Sequence, residues 1–132
     1  MSRYLLDTHT FLWAVFGPRN FELSARAKGA IEDVESELYV SSASIFEIAT
    51  KYRIGKIPEY QPVAENILEV VSSLGAKELP LDWKQADLAG NMVWEHKDPF
   101  DRILAAQAQT EALTLITCDR AFDELPEIAI LW

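Results

Sequence analysis

The chain has 132 residues, 49% hydrophobic and 25% charged, a composition that suits a single domain spanning 1–132 with a real core and argues against disorder. Its formal net charge of −9 argues against broad electrostatic binding to nucleic acid, yet leaves room for an enzyme that meets phosphate through metal ions. One cysteine, Cys118, allows no intramolecular disulfide; with no apolar leader and no run of membrane-spanning length, a cytoplasmic protein without a membrane partner is expected.

Taken in chain order, Arg3 to Leu6 reads as a strand whose apolar run suits a parallel sheet covered on both faces, and Asp7 ends it. Thr10 to Phe16 is predicted helical, stopped by Gly17-Pro18. Ser24 caps a polar helix to Glu35, and Leu38-Tyr39-Val40 is a short strand. Ser42 or Ser44 caps a helix to about Arg53, followed by a loop from Gly55 to Pro62. Pro62 to Leu74 is a helix with Gly75 as its stop, Lys77 to Leu79 a strand, and Asp82 to about Glu95 a helix. Asp98-Pro99 opens a helix to about Glu111; Leu113 to Thr117 and Ile128 to Leu131 are the last strands. This alternation predicts an α/β sandwich around a mainly parallel sheet, with ligands at the carboxyl ends of its strands.

Several carboxylates fall where such an edge would lie, each with a structural alternative. Asp7 suits an N-cap as well as a ligand. Glu47 fits a capping box with Ser44 and an i,i+4 pair with Lys51, and it points about 160–200° away from the stripe of Ile45, Ile48, Ala49 and Tyr52. It is a ligand only where that face borders the sheet-edge cleft. Asp98 precedes Pro99 as a helix cap does, while Asp101 borders the inward stripe of Phe100, Ile103, Leu104 and Gln107 and is the better cleft candidate; Asp98 and Arg102 lie further out. Asp119 repeats the strand-end pattern of Asp7, and crowding the two is costly without a proton or a divalent cation between them. His9 reads as a polar neighbour of the first strand, and His96 as a residue that helps orient phosphate. Clustered oxygen donors without thiolates suit Mg²⁺, with Mn²⁺ as a substitute.

Four segments then carry a resemblance: Tyr-Leu-Leu-Asp7-Thr-His-Thr, Ser-Ala-Ser-Ile-Phe-Glu47-Ile, His96-Lys-Asp98-Pro-Phe-Asp101-Arg-Ile-Leu-Ala-Ala-Gln-Ala, and Leu-Ile-Thr117-Cys-Asp119. In this order the chain resembles the PIN-domain ribonucleases, and in particular the toxins of VapC type. The resemblance implies a three-layer sandwich with sheet order 3-2-1-4-5 and a divalent-metal endoribonuclease. It implies Asp7, Glu47, Asp101 and Asp119 as the acidic site, with Asp98 an additional metal candidate. Thr8, Ser44 and Thr117 would be its supporting hydroxyls. One or two Mg²⁺ ions per site would serve hydrolysis of RNA to 5′-phosphate and 3′-hydroxyl ends. Lys51 and Arg102 are candidates for contacts to flanking phosphates. A homodimer and a cognate antitoxin are the implied partners. The rival readings are another metal-dependent phosphohydrolase and a non-catalytic partner-binding module. An aspartyl-phosphate enzyme would place an acid where His9 stands.

Overall fold

The computed structural model describes residues 2–132. Its strands are β1 (Arg3–Leu6), β2 (Glu37–Ser41), β3 (Lys77–Leu79), β4 (Thr114–Ile116) and β5 (Ile130–Leu131), in one sheet of order β3-β2-β1-β4-β5. Every pairing is parallel, and β1 lies at the centre with Leu6 beside Val40 on one flank and Ile116 on the other. The order implied by the resemblance is the one observed. Consecutive β1 residues point to opposite faces, and both faces are covered. Leu5 joins Leu104, Leu115 and Phe122 in one core, whereas Leu6 joins Phe11, Val40 and Ile48 in the other.

The helices are α1 (Thr8–Val15), α2 (Ala25–Glu32), α3 (Ser42–Arg53), α4 (Gln61–Ala64), α5 (Ile67–Ser73), α6 (Trp83–Asn91) and α7 (Pro99–Glu111). The long-range logic of the sequence holds, but several boundaries differ from expectation, among them α1 beginning at Thr8, α2 ending at Glu32 and β5 beginning at Ile130. The cap of α3 is Ser41, whose hydroxyl accepts from the Ala43 amide, rather than Ser42 or Ser44, so the expected capping box does not form. The helix expected over Pro62 to Leu74 is broken at Asn66, whose φ of −135° is not helical and whose side-chain amide donates to the Pro62 carbonyl. Asn competes with the backbone in this way wherever a helix is weak. The helix expected to run to Glu95 ends at Asn91, and residues 92–98 cross to α7 without regular structure. Among the described residues no helix is long and apolar enough to cross a membrane.

This frame brings the N-termini of α1, α3 and α7 toward the carboxyl ends of β1 and β4. The chain leaves β1 directly into α1, and leaves β2 directly into α3. Helix α7 packs on α3, with the Phe46 and Phe100 ring centroids 6.1 Å apart. Those two rings neighbour Glu47 and Asp101 in sequence, so the contact joins the two helices that carry these acids.

Candidate active site

Asp7 sits where β1 becomes α1, and both expectations for it have a basis in its surroundings. Its Oδ1 accepts from the Thr10 amide at 2.8 Å, which makes it the cap of α1. Its Oδ2 accepts from the Thr117 hydroxyl at 2.5 Å, across the β1–β4 pairing. The residue is only 7% exposed, and among the described residues no lysine or arginine forms an ion pair with it. Burial pushes its carboxyl pKa up, against the pull of the Thr117 and Thr10 hydrogen bonds. Each carboxylate oxygen has a second lone pair, so both retain the capacity to bind a cation.

Thr8 and Ser44 are buried beside Glu47. The Thr8 hydroxyl donates to Glu47 Oε1 at 2.7 Å and lies 2.9 Å from Ser44 Oγ. With one proton to give, it serves the carboxylate and takes its second bond from Ser44. Lys51 Nζ is 2.6 Å from Glu47 Oε2, the i,i+4 pair expected from the sequence. Glu47 is 5% exposed, so the face of α3 opposite the apolar stripe is buried at this point rather than open to water. Glu47 does turn away from the stripe containing Ile48, but α3 has a second buried side. Ser44 and Glu47, three residues apart, share the face that packs on Thr8 at the sheet edge.

The start of α7 supplies the next acids. Asp98 Oδ1 accepts from the Phe100 amide at 2.9 Å and the Asp101 amide at 3.3 Å, the capping role its place before Pro99 suggests. Asp101 Oδ2 meets His96 Nε2 at 2.7 Å. Burial drives the Asp101 pKa up to about 6, with the His96 hydrogen bond pulling the other way and Asp98 adding to the rise. The His96 pKa is raised in turn, chiefly by the bond to Asp101. Asp119 is exposed at the end of β4. Its amide donates to Thr117 Oγ at 3.0 Å, and its Oδ1 accepts from the Ala121 amide at 2.9 Å. Its charge raises the pKa of both Asp101 and His96, so it belongs to the same electrostatic neighbourhood.

Among the described residues, one group of three possible metal donors lies within 4.8 Å of one another: His96, Asp98 and Asp101. Asp7, Glu47 and Asp119 stand outside that tight group. The donor set nevertheless fits a hard divalent cation, because Mg²⁺ keeps several waters and is bound through only one or two carboxylates plus substrate phosphate. Asp101, whose pKa is raised by burial and further by Asp98 and Asp119, carries a charge that such a cation would relieve. His96 is the contact the sequence reading did not make. The signal was available in the Pro99 turn, which folds the segment before the helix back over its first residues.

Arg102 is a correction. Its guanidinium donates to four main-chain carbonyls, those of Ala89, Met92, Trp94 and His96, so it is half-buried and committed to the fold rather than free for flanking phosphate. Asp98 can be dissected by substitution. Asp98→Ala is expected to cost about 1 kcal/mol of stability, whereas Asp98→Ser, which keeps a capping oxygen, stays within a few tenths. Thermal melts check this, and weaker Mn²⁺ binding by the Ser variant, which keeps the cap, would then report a ligand role for the lost carboxylate.

A family model for the PIN domain matches residues 4–128. A curated relative, ribonuclease VapC16 of Mycobacterium tuberculosis (strain ATCC 25618 / H37Rv), is 33% identical over 55 residues, and that match spans 42% of this chain and 39% of the relative's length. Among solved structures, VapBC2 from Rickettsia felis, bound to a DNA fragment from its promoter, superposes with a TM-score of 0.71 at 18% identity, covering 98% of this chain and 97% of that one. VapBC-5 from Mycobacterium tuberculosis, of the VapBC family of toxin–antitoxin systems, gives 0.67 at 17% identity over 99% and 98%. At such identities the likeness is one of fold.

Proposed function

The chain belongs to the PIN domain family, and on that premise we propose that it is a divalent-metal-dependent endoribonuclease, the toxin of a toxin–antitoxin pair, with residues 1–132 acting as one domain in the cytoplasm. The observation that carries this reading is Asp7: a carboxylate buried at the centre of the sheet edge, bonded by Thr10 and Thr117 but paired with no cationic side chain among the described residues. A buried charge of that kind is costly unless something positive offsets it. Asp101, Asp98 and Asp119 add negative charge on the same edge.

Asp7, Asp101 and Asp119 would hold the cation, Mg²⁺ or Mn²⁺, with Asp98 contributing its second oxygen. Such an ion supplies Lewis acidity and a water of lowered pKa. The protein's own part is orientation. Thr117 fixes Asp7 Oδ2 and through its oxygen also receives the Asp119 amide, so one hydroxyl sets two acids. Thr8 bonds Glu47 and Ser44 bonds Thr8, and in this reading Glu47 would steer or deprotonate the attacking water. Lys51 is ion-paired to Glu47 Oε2 and would be the cation a flanking phosphate competes for. Water attacking phosphorus in line with the departing 3′-oxygen leaves a 5′-phosphate. The VapC and VapBC names of the relatives support a ribonuclease activity and a cognate antitoxin as partner, and a homodimer completes the reading.

The test is cleavage of total RNA by the purified, antitoxin-free chain. Cleavage with Mg²⁺ or Mn²⁺ that stops with EDTA and leaves 5′-phosphate ends is expected. A well-folded protein that binds Mn²⁺ weakly or not at all and cuts no RNA would instead favour the partner-binding module.

A further inference from the structure

Arg102 follows Asp101 directly and lies one helical turn after Asp98, in a chain of net charge −9. Among the described residues it forms no ion pair. Its Nε donates to the Ala89 carbonyl at 2.9 Å, Nη1 to Trp94 at 2.8 Å and to His96 at 3.0 Å, and Nη2 to Met92 at 2.6 Å. These carbonyls belong to the end of α6 and to the irregular segment before α7. That segment has no ladder of its own, so its carbonyls need partners from elsewhere. One rigid fork supplies them with four of its five N–H groups, a geometry that the compact ammonium of lysine does not reproduce.

The segment ends in His96, whose ring meets Asp101 Oδ2 at 2.7 Å while Asp101 Oδ1 has no hydrogen-bond partner among the described residues. The buried Trp94 ring backs it, with centroids 4.8 Å apart. We propose that Arg102 is a positioning residue for the metal site: it fixes the 92–96 segment so that His96 donates to Asp101 Oδ2 and turns Oδ1 toward a divalent cation. This rests on the nuclease reading for the presence of that cation. Partners that orient a ligand are worth roughly a factor of 10–100 in metal affinity.

Mn²⁺ is titrated into the EDTA-stripped full chain, with free Mn²⁺ read by electron paramagnetic resonance. Arg102→Lys and His96→Gln are each expected to weaken binding by about 10–100-fold. The double variant loses no more than the weaker single one, because residues in one network are not additive. The His96 ring ¹⁵N resonances move in Arg102→Lys, a change that a general loss of stability does not produce in a folded protein. Wild-type Mn²⁺ affinity in Arg102→Lys, or additive losses in the double variant, overturns the proposal. So does a directly coordinated ¹⁴N coupling to Mn²⁺ in the wild type, which would make His96 a ligand instead. Should Arg102→Lys not fold, His96→Gln decides alone, and unchanged affinity overturns the proposal. A wild-type chain that binds no Mn²⁺ sinks the nuclease reading as well; a wild type that binds and cleaves beside unaltered variants sinks only the role of Arg102.

Discussion

Asp7→Asn and Asp101→Asn are each expected to lower RNA cleavage by about 100-fold or more, the scale on which one charge-stabilising group acts in a transition state, and yet to make the metal-free protein more stable. The second half follows from the direction of the pKa shifts. Burial raises both carboxyls, Asp101 to about 6 from its ordinary 3.8. Between those values the folded chain holds a proton that the unfolded chain has released. Stability from this group is therefore present at low pH and falls as pH rises through about 4–6. Asparagine removes the term. It keeps an oxygen for the Thr10 amide at position 7 and for His96 at position 101, while the Thr117 hydroxyl, which donates to Asp7 Oδ2, has to turn and accept from the new amide N–H. Asp101 is partly exposed, so solvent screening brings the gain to the order of 1 kcal/mol, or a few degrees of melting temperature.

Mn²⁺ should reverse that ranking. At about 100 times its dissociation constant a ligand adds about 2.7 kcal/mol to the protein that binds it and nothing to one that does not. Melts at pH 7.5 should thus place the Asn variants above the wild type in EDTA and below it in saturating Mn²⁺. Melting temperatures that ignore Mn²⁺ in all three proteins, or undiminished cleavage by either variant, would show that these acids are not the site.

Much of this arrangement is legible in the residues. The apolar run before Asp7, the turn residues and the Asp98-Pro99 boundary depend on local chemistry, and β1, β3 and α7 lie where that chemistry places them. What periodicity misses is a helix with two buried sides. It assumes that a residue opposite the apolar stripe meets water, but Ser44 and Glu47 meet Thr8, a residue 36 positions or more away in sequence. Arg102 fails for a related reason. Its charge invites an acidic or phosphate partner, and only the fold reveals four unpaired carbonyls within its reach. Such contacts leave no spacing signal, so the role of Arg102 and the meeting of Thr8 with Glu47 emerge from packing alone.

The largest expected loss of stability comes from Phe122→Ala, and it bears on the site. Phe122 is fully buried in the 3₁₀ turn Arg120–Glu124 that follows β4. It packs with Leu5, Leu104 and Leu115, and its ring centroid is 5.5 Å from that of Trp94. Truncating a buried phenylalanine costs about 3–5 kcal/mol through lost burial and the cavity left behind. That is a large part of the roughly 5–15 kcal/mol that holds a domain together, and for a chain of this size it lowers the melting temperature by roughly 10–20 °C. Val93→Ala is the matched control. Val93 neighbours Trp94 in sequence but is fully exposed, and surface changes of this kind stay within about 0.5 kcal/mol. Where Phe122→Ala remains folded, the Trp94 ring loses its backing, and with it goes one of the three restraints on His96, beside its bond to Asp101 and the Arg102 bond to its carbonyl. Mn²⁺ affinity should then fall together with stability in Phe122→Ala and hold in Val93→Ala. A Phe122→Ala protein that melts within 1 kcal/mol of the wild type would show that this wall of the core is not the close-packed layer on which the site is built.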